Sequence, residues 1–132
     1  MSVDSAQTLM AIVDDDPTMI KLVGLMLSNA NIHLESFTSG AALLKSSALK
    51  KFNTIILDLS IPDMEGFYIM DKLLIKNITA NILLISGHDH AILMAAKAYC
   101  GGMGLNLCGA LEKPFTQQNL LSILGLQTGS VG

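Results

Sequence analysis

Short apolar runs recur along this chain, unbroken except for Asn106 in the last of them, and each stops abruptly at a charged or hydroxylated residue. Thr8–Val13 runs into Asp14-Asp15-Asp16, Thr54–Leu57 into Asp58, Ile82–Ile85 into Ser86, and Leu105–Leu111 into Glu112-Lys113. An unbroken run of this length reads as a strand buried on both faces, the kind found inside a parallel sheet. Ile32–Phe37 is more polar and reads as a strand nearer a sheet edge.

The intervals between these runs carry helical spacing. The first helix is predicted from Pro17 through Ile20, Val23, Met26 and Leu27 to about Asn29. Proline suits the first helical position, and Asp16 before it is the natural N-cap. That leaves Asp14 and Asp15 at the strand end without a structural task. Further helices are predicted over Ser39–Lys50 (Ala42, Leu43 and Leu49 inward), Phe67–Asn77 (Phe67, Met70, Leu73 and Leu74 on one face), about His90–Cys100, stopped by Gly101-Gly102, and from the cap Thr116 to about Leu124. A loop punctuated by Pro62 and Gly66 follows Asp58. Five strands alternating with five helices predict a doubly wound α/β domain with a five-stranded parallel sheet between helical layers.

At 132 residues the chain is expected to form one domain over 8–125, with a polar lead-in at 1–7 and a tail or linker start at 126–132. Hydrophobic residues make up 51% and charged residues 14%, against about a quarter charged in an ordinary soluble domain. Fifteen of the nineteen charged side chains lie in residues 1–77. The charge-poor remainder is either a surface that meets another protein or a mostly buried half. With a net charge of −3 and no arginine, nucleic-acid binding is not expected. No apolar run reaches the roughly 18 residues of a membrane helix, and no signal peptide opens the chain, so a cytoplasmic location without membrane contact is expected. Cys100 and Cys108 match no metal spacing and read as small buried hydrophobes with reduced thiols.

The strand ends carry the chemistry. In a parallel sheet Asp14, Asp15, Asp58, Ser86 and Lys113 share the carboxyl edge, where open α/β sheets bind their ligands. A carboxylate closing a buried strand is costly unless a cation or hydrogen bonds meet it. Three carboxylates together suit Mg²⁺, a hard cation that leaves positions for water and phosphate. A lysine and a hydroxyl beside them suit an incoming phosphoryl group, so the set fits phosphoryl transfer onto a carboxylate.

Over about residues 8–125 the chain resembles the receiver domain of two-component response regulators, a CheY-like (βα)5 three-layer sandwich. The resemblance rests on Val13-Asp14-Asp15-Asp16-Pro17, on Leu57-Asp58-Leu59-Ser60-Ile61-Pro62-Asp63-Met64-Glu65-Gly66, on Ile85-Ser86-Gly87 and on Glu112-Lys113-Pro114-Phe115. It implies that Asp58 accepts a phosphoryl group from a sensor histidine kinase or phosphotransfer protein. It further implies Mg²⁺ held by Asp15 and Asp58, by Asp14 through water, and by the Ser60 carbonyl. Ser86 would hydrogen-bond the phosphate, Lys113 would pair with it, and Lys113–Pro114 would be cis. The domain would switch a partner or an attached output domain. Ser86-Gly87-His88-Asp89 and the stretch Gly104–Pro114 look like receivers that precede EAL-type cyclic-di-GMP phosphodiesterase domains, an activity that would lie outside this chain.

Two positions depart from the common pattern. Ser86 and Lys113 lie 27 residues apart, longer than is typical. The place three before the lysine, often an aromatic switch residue, is Ala110. His88-Asp89-His90 invites a metal reading, but adjacent ligands make a poor cage, and a solvated loop with Asp89 capping the next helix is expected. The stripe Leu93, Met94, Ala96 and Tyr99 reads as core. The uncharged final helix and its predecessor offer an association surface over 90–125, including for a homodimer. Two rival readings stand beside the phosphoacceptor. A small phosphatase would need a second carboxylate two residues past its nucleophile, where Ser60 stands. A degenerate receiver acting only as a protein-interaction module must set aside the complete set of acids, hydroxyl and lysine.

Overall fold

The structure is a computed structural model describing residues 7–60, 65–87 and 90–126. Pro62, the Asp89 cap and the tail residues 1–6 and 127–132 lie outside the described residues. Five parallel strands, Thr8–Val13 (β1), Ile32–Phe37 (β2), Thr54–Asp58 (β3), Asn81–Ser86 (β4) and Asn106–Glu112 (β5), form one sheet in the order β2-β1-β3-β4-β5. Every residue of β3 is buried, and β2 is an edge strand, as its polar character predicts. The helices are Pro17–Met26 (α1), Gly40–Leu44 (α2), Glu65–Ile75 (α3), His90–Met103 (α4) and Gln117–Ile123 (α5). Alternation of the β-strand side chains divides the core in two. Ala11, Val13, Ile55, Leu57, Ile82 and Leu84 pack with the helical layer that holds Leu43, Met70, Leu73, Leu93 and Ala96. Met10, Ile12, Ile56, Leu83 and Ile85 pack against Val23, Leu27, Leu120 and Leu121.

Local chemistry sets the helix ends, and in several places it overrides the apolar spacing. Asp16 caps α1, accepting from the Thr18 N–H at 2.9 Å, with Pro17 at the first helical position. This helix stops at Met26 rather than near Asn29, where the Ser28 hydroxyl donates to the Leu25 carbonyl. Ser39 caps α2, but the helix ends at Leu44 instead of reaching Lys50. Ser46 there accepts the Ala48 N–H at 3.1 Å, a local bond that competes with the helical ladder. A short 3₁₀ turn, Leu49–Lys51, follows. Leu43 and Leu49 point inward, whereas Ala42 is exposed.

α3 begins two residues before the expected Phe67, so Gly66 is helical rather than part of a loop. It closes before Asn77, whose φ of 59° lets the Ile78 N–H reach the Leu73 carbonyl and satisfy a free helix-end acceptor. Ile69 is buried in place of Leu74, which is exposed. α4 runs through Gly101-Gly102 to Met103 and stops at Gly104, with φ of 86°. The long Ser86–Lys113 interval is therefore largely helix. Its expected core stripe is divided: Leu93 and Ala96 are buried, while Met94 and Tyr99 are exposed. The charge-poor half likewise divides, since Leu120 and Leu121 of α5 are core and much of α4 faces outward. Cys100 is buried and Cys108 half-buried, both as free thiols.

Candidate functional site

Strand order brings the polar strand ends together. β1 has β2 on one side and β3 on the other, so the chain reverses its direction of growth there, the switch point where such sheets form a crevice. Single backbone bonds extend the ladders past the strands. The Asp14 N–H donates to the Phe37 carbonyl (3.0 Å), the Leu59 N–H to Ile85 (2.7 Å) and the Lys113 N–H to Ser86 (2.8 Å). These bonds align Asp14, Asp58, Ser86 and Lys113 along one edge. Lys113–Pro114 is cis, as the resemblance implies.

Oxygens of Asp14, Asp15 and Asp58 lie within 4.8 Å of one another. Asp14 and Asp58 are buried, and Asp15 is exposed. Lys113 Nζ stands 2.9 Å from Asp58 Oδ2 and 3.4 Å from Asp14 Oδ2, so one ammonium serves two carboxylates. Asp58 Oδ1 accepts the Ser60 N–H at 2.8 Å, and Asp14 Oδ1 the Asp16 N–H at 2.9 Å. Asp14 thus has a structural task that its place in the sequence concealed. Both bonds reach two residues onward, the local turn that aspartate favours, and residue type alone could have signalled them. The Ser60 hydroxyl accepts the Gly87 N–H at 2.9 Å, tying the β3 loop to the β4 loop; no sequence signal pointed to that bond. Ser86 is buried at the same edge.

Burial pushes the Asp14 carboxyl from 3.8 up to about 6. The Asp16 N–H opposes the rise, the hydrogen bond and charge of Asp58 add to it, and Lys113 lowers it. Burial disfavours the Lys113 ammonium, but the hydrogen bond and charge of Asp58, followed by Asp14, outweigh it and raise its pKa. Three acids against one lysine leave surplus negative charge. A set of hard oxygen donors this close fits Mg²⁺. Among the described residues no buried side-chain polar atom lacks a partner. His90 Nδ1 lies 3.2 Å from Glu112, so this part of the rejected His-Asp-His metal motif pairs with an acid; His88 and Asp89 lie outside the described residues. No described helix is long and apolar enough to cross a membrane.

Residues 10–125 match the response regulator receiver domain family. The chain is 28% identical over 118 residues to the response regulator protein TmoT of Ectopseudomonas mendocina, covering 89% of this chain and 51% of that protein. It is 23% identical to the cell cycle response regulator CtrA of Brucella ovis, over 84% of this chain and 46% of the relative. The chain therefore spans about half the length of these curated relatives. Among solved structures, a response regulator from Colwellia psychrerythraea superposes with a TM-score of 0.77 at 32% identity, covering 91% of this chain and 95% of that one. The Vibrio cholerae chemotaxis protein CheY4 superposes with a TM-score of 0.74 at 27% identity, covering 91% and 98%.

Proposed function

The chain belongs to the response regulator receiver domain family, and from that premise we propose that it is a phosphorylation switch with Asp58 as acceptor. The observation that carries this reading is the meeting of Asp14, Asp15, Asp58 and Lys113 at the switch point of the sheet. A receiver is a signalling domain rather than a catalytic enzyme, and receivers work with histidine kinases and output domains.

In the proposed step an Asp58 carboxylate oxygen attacks the phosphorus of a phosphohistidine. The P–N bond breaks, the imidazole nitrogen leaves with its electron pair, and an acyl phosphate forms on Asp58. Mg²⁺ held by Asp15 and Asp58, by Asp14 through water and by the Ser60 carbonyl would neutralise the charge gathered at the phosphoryl oxygens. Lys113, now paired with Asp58 at 2.9 Å, would turn to the phosphoryl group, which brings close to two negative charges. Ser86 would donate its hydroxyl to a phosphoryl oxygen. The Ser60 N–H keeps Asp58 oriented while this happens.

The half-length match to longer relatives supports a partner or an attached output segment. An EAL-type phosphodiesterase domain is the output the β4–β5 sequence favours. A homodimer through the 90–125 face is compatible with the outward side of α4, and the fold operates in the cytoplasm without nucleic-acid contact.

Intact mass after incubation with acetyl phosphate tests the acceptor. One phosphoryl group should be gained with Mg²⁺, and none without it or in Asp58→Asn. A gain in Asp58→Asn would mean another acceptor. No gain from either acetyl phosphate or a cognate kinase would favour the interaction module.

A further inference from the structure

α3 and α4 are fastened to each other at two points on one side chain. The Tyr99 hydroxyl of α4 donates to Asp71 Oδ1 of α3 at 2.6 Å. The Tyr99 ring stands edge-on to Phe67, with centroids 5.2 Å apart and planes at 72°. Phe67 and Asp71 are one helical turn apart, so both face the same way. Held at a ring and at a hydroxyl, Tyr99 resists both sliding and rotation of α4 against α3. The bond to Asp71 also raises the Tyr99 pKa and keeps its hydroxyl a donor.

The α3 end of this fastening leads straight to the acceptor. Leu59 follows Asp58 and lies against the first turn of α3, so close that a Cβ at Gly66 would come within 2.7 Å of its Cδ2. Gly66 is followed directly by Phe67. The contacts thus run from Asp58 and Leu59 to Gly66 and Phe67, and from there to Tyr99. β5 ties to α4 only at its exposed end, where Glu112 lies 3.2 Å from His90 Nδ1; between Leu107 and that end, Ala110 is its small side chain on the face towards α4.

We propose that Tyr99 clamps α4 to α3 and that this clamp carries a change at Asp58 to the outward face of α4, where Met94 is exposed. The proposal rests on the acceptor reading of Asp58. Tyr99 is a positioning residue and touches no reacting atom.

Backbone amide spectra of the whole chain, with and without beryllium trifluoride and Mg²⁺, test it. In the wild type, shifts should change at Leu57–Ser60 and along Ala91–Met103. Tyr99→Phe keeps the ring and loses the bond, and Asp71→Ala loses the same bond from the other side. In both, the response at Leu57–Ser60 should persist while that of α4 falls several-fold. A full α4 response in both variants would overturn the proposal. So would a silent α4 in a wild type whose Leu57–Ser60 amides respond. No response at Leu57–Ser60 in the wild type would overturn the acceptor reading itself, and the clamp with it.

Discussion

At the scale of single residues, Asp14 is where fold and function conflict. Its carboxyl is buried beside Asp58, and its pKa stands near 6 rather than 3.8. A raised carboxyl pKa means that folding disfavours the charged form. The penalty is absent below the unfolded value, grows as pH rises, and is complete above about 6. Two pKa units correspond to about 2–3 kcal/mol. Asp14→Asn, without metal, should therefore be more stable than the wild type by about 2 kcal/mol near neutral pH, with the difference vanishing near pH 4. Urea denaturation in a chelator at both pH values checks this. A variant no more stable near neutral pH would mean that the buried charge is not the cost. The strand-end residues Asp58, Ser86 and Lys113 were legible because each interrupts an apolar run, a local pattern. The Ser60–Gly87 and Tyr99–Asp71 bonds were not, since their partners lie 27 and 28 positions apart and meet only after the elements pack.

At the scale of elements, existence and type followed from periodicity, while ends depended on side-chain chemistry that periodicity does not carry. The strands fell within a residue of expectation because a buried run is bounded by the polar groups that close it. α2 was read too long because Ser46 withdraws the backbone from the ladder. α4 was read too short because Gly101-Gly102 signals a stop, yet packing of Cys100 and Met103 on the core carries the helix past it. That override has a cost that can be measured. A Cβ at Gly102 would meet nothing within 4 Å, so Gly102→Ala should stabilise by about 0.5–1 kcal/mol through helix propensity. Gly104 has equal space but a φ of 86°, and Gly104→Ala should destabilise by about 1 kcal/mol. Urea midpoints of the two variants should move in opposite directions. Equal shifts would mean that the helix end is not where the backbone places it.

At the scale of the whole molecule, strand order decides function, and only part of it could be read beforehand. The polarity of β2 marked an edge strand, but nothing local says that β1 lies between β2 and β3. That placement brings Asp58 to the adjacent pair Asp14 and Asp15 and makes one cluster of the three. It also makes the cluster's repulsion a property of the entire fold, because β1 and β3 anchor both apolar cores. A cation that binds the folded cluster, and not the unfolded chain, must then stabilise the whole domain by mass action. At a hundredfold excess over Kd the gain is about 2.7 kcal/mol, or roughly 5–10 °C in Tm for a domain of this size. Mg²⁺ should raise Tm on that scale near neutral pH and less near pH 5, where Asp14 holds its proton. Asp15→Asn should lose most of the rise. Asp15 is exposed, so its replacement removes a candidate ligand without disturbing the core. Thermal melts followed by circular dichroism, against NaCl at matched ionic strength, separate specific binding from screening. An equal rise in Asp15→Asn or in NaCl would mean that the three carboxylates do not act together as a metal site.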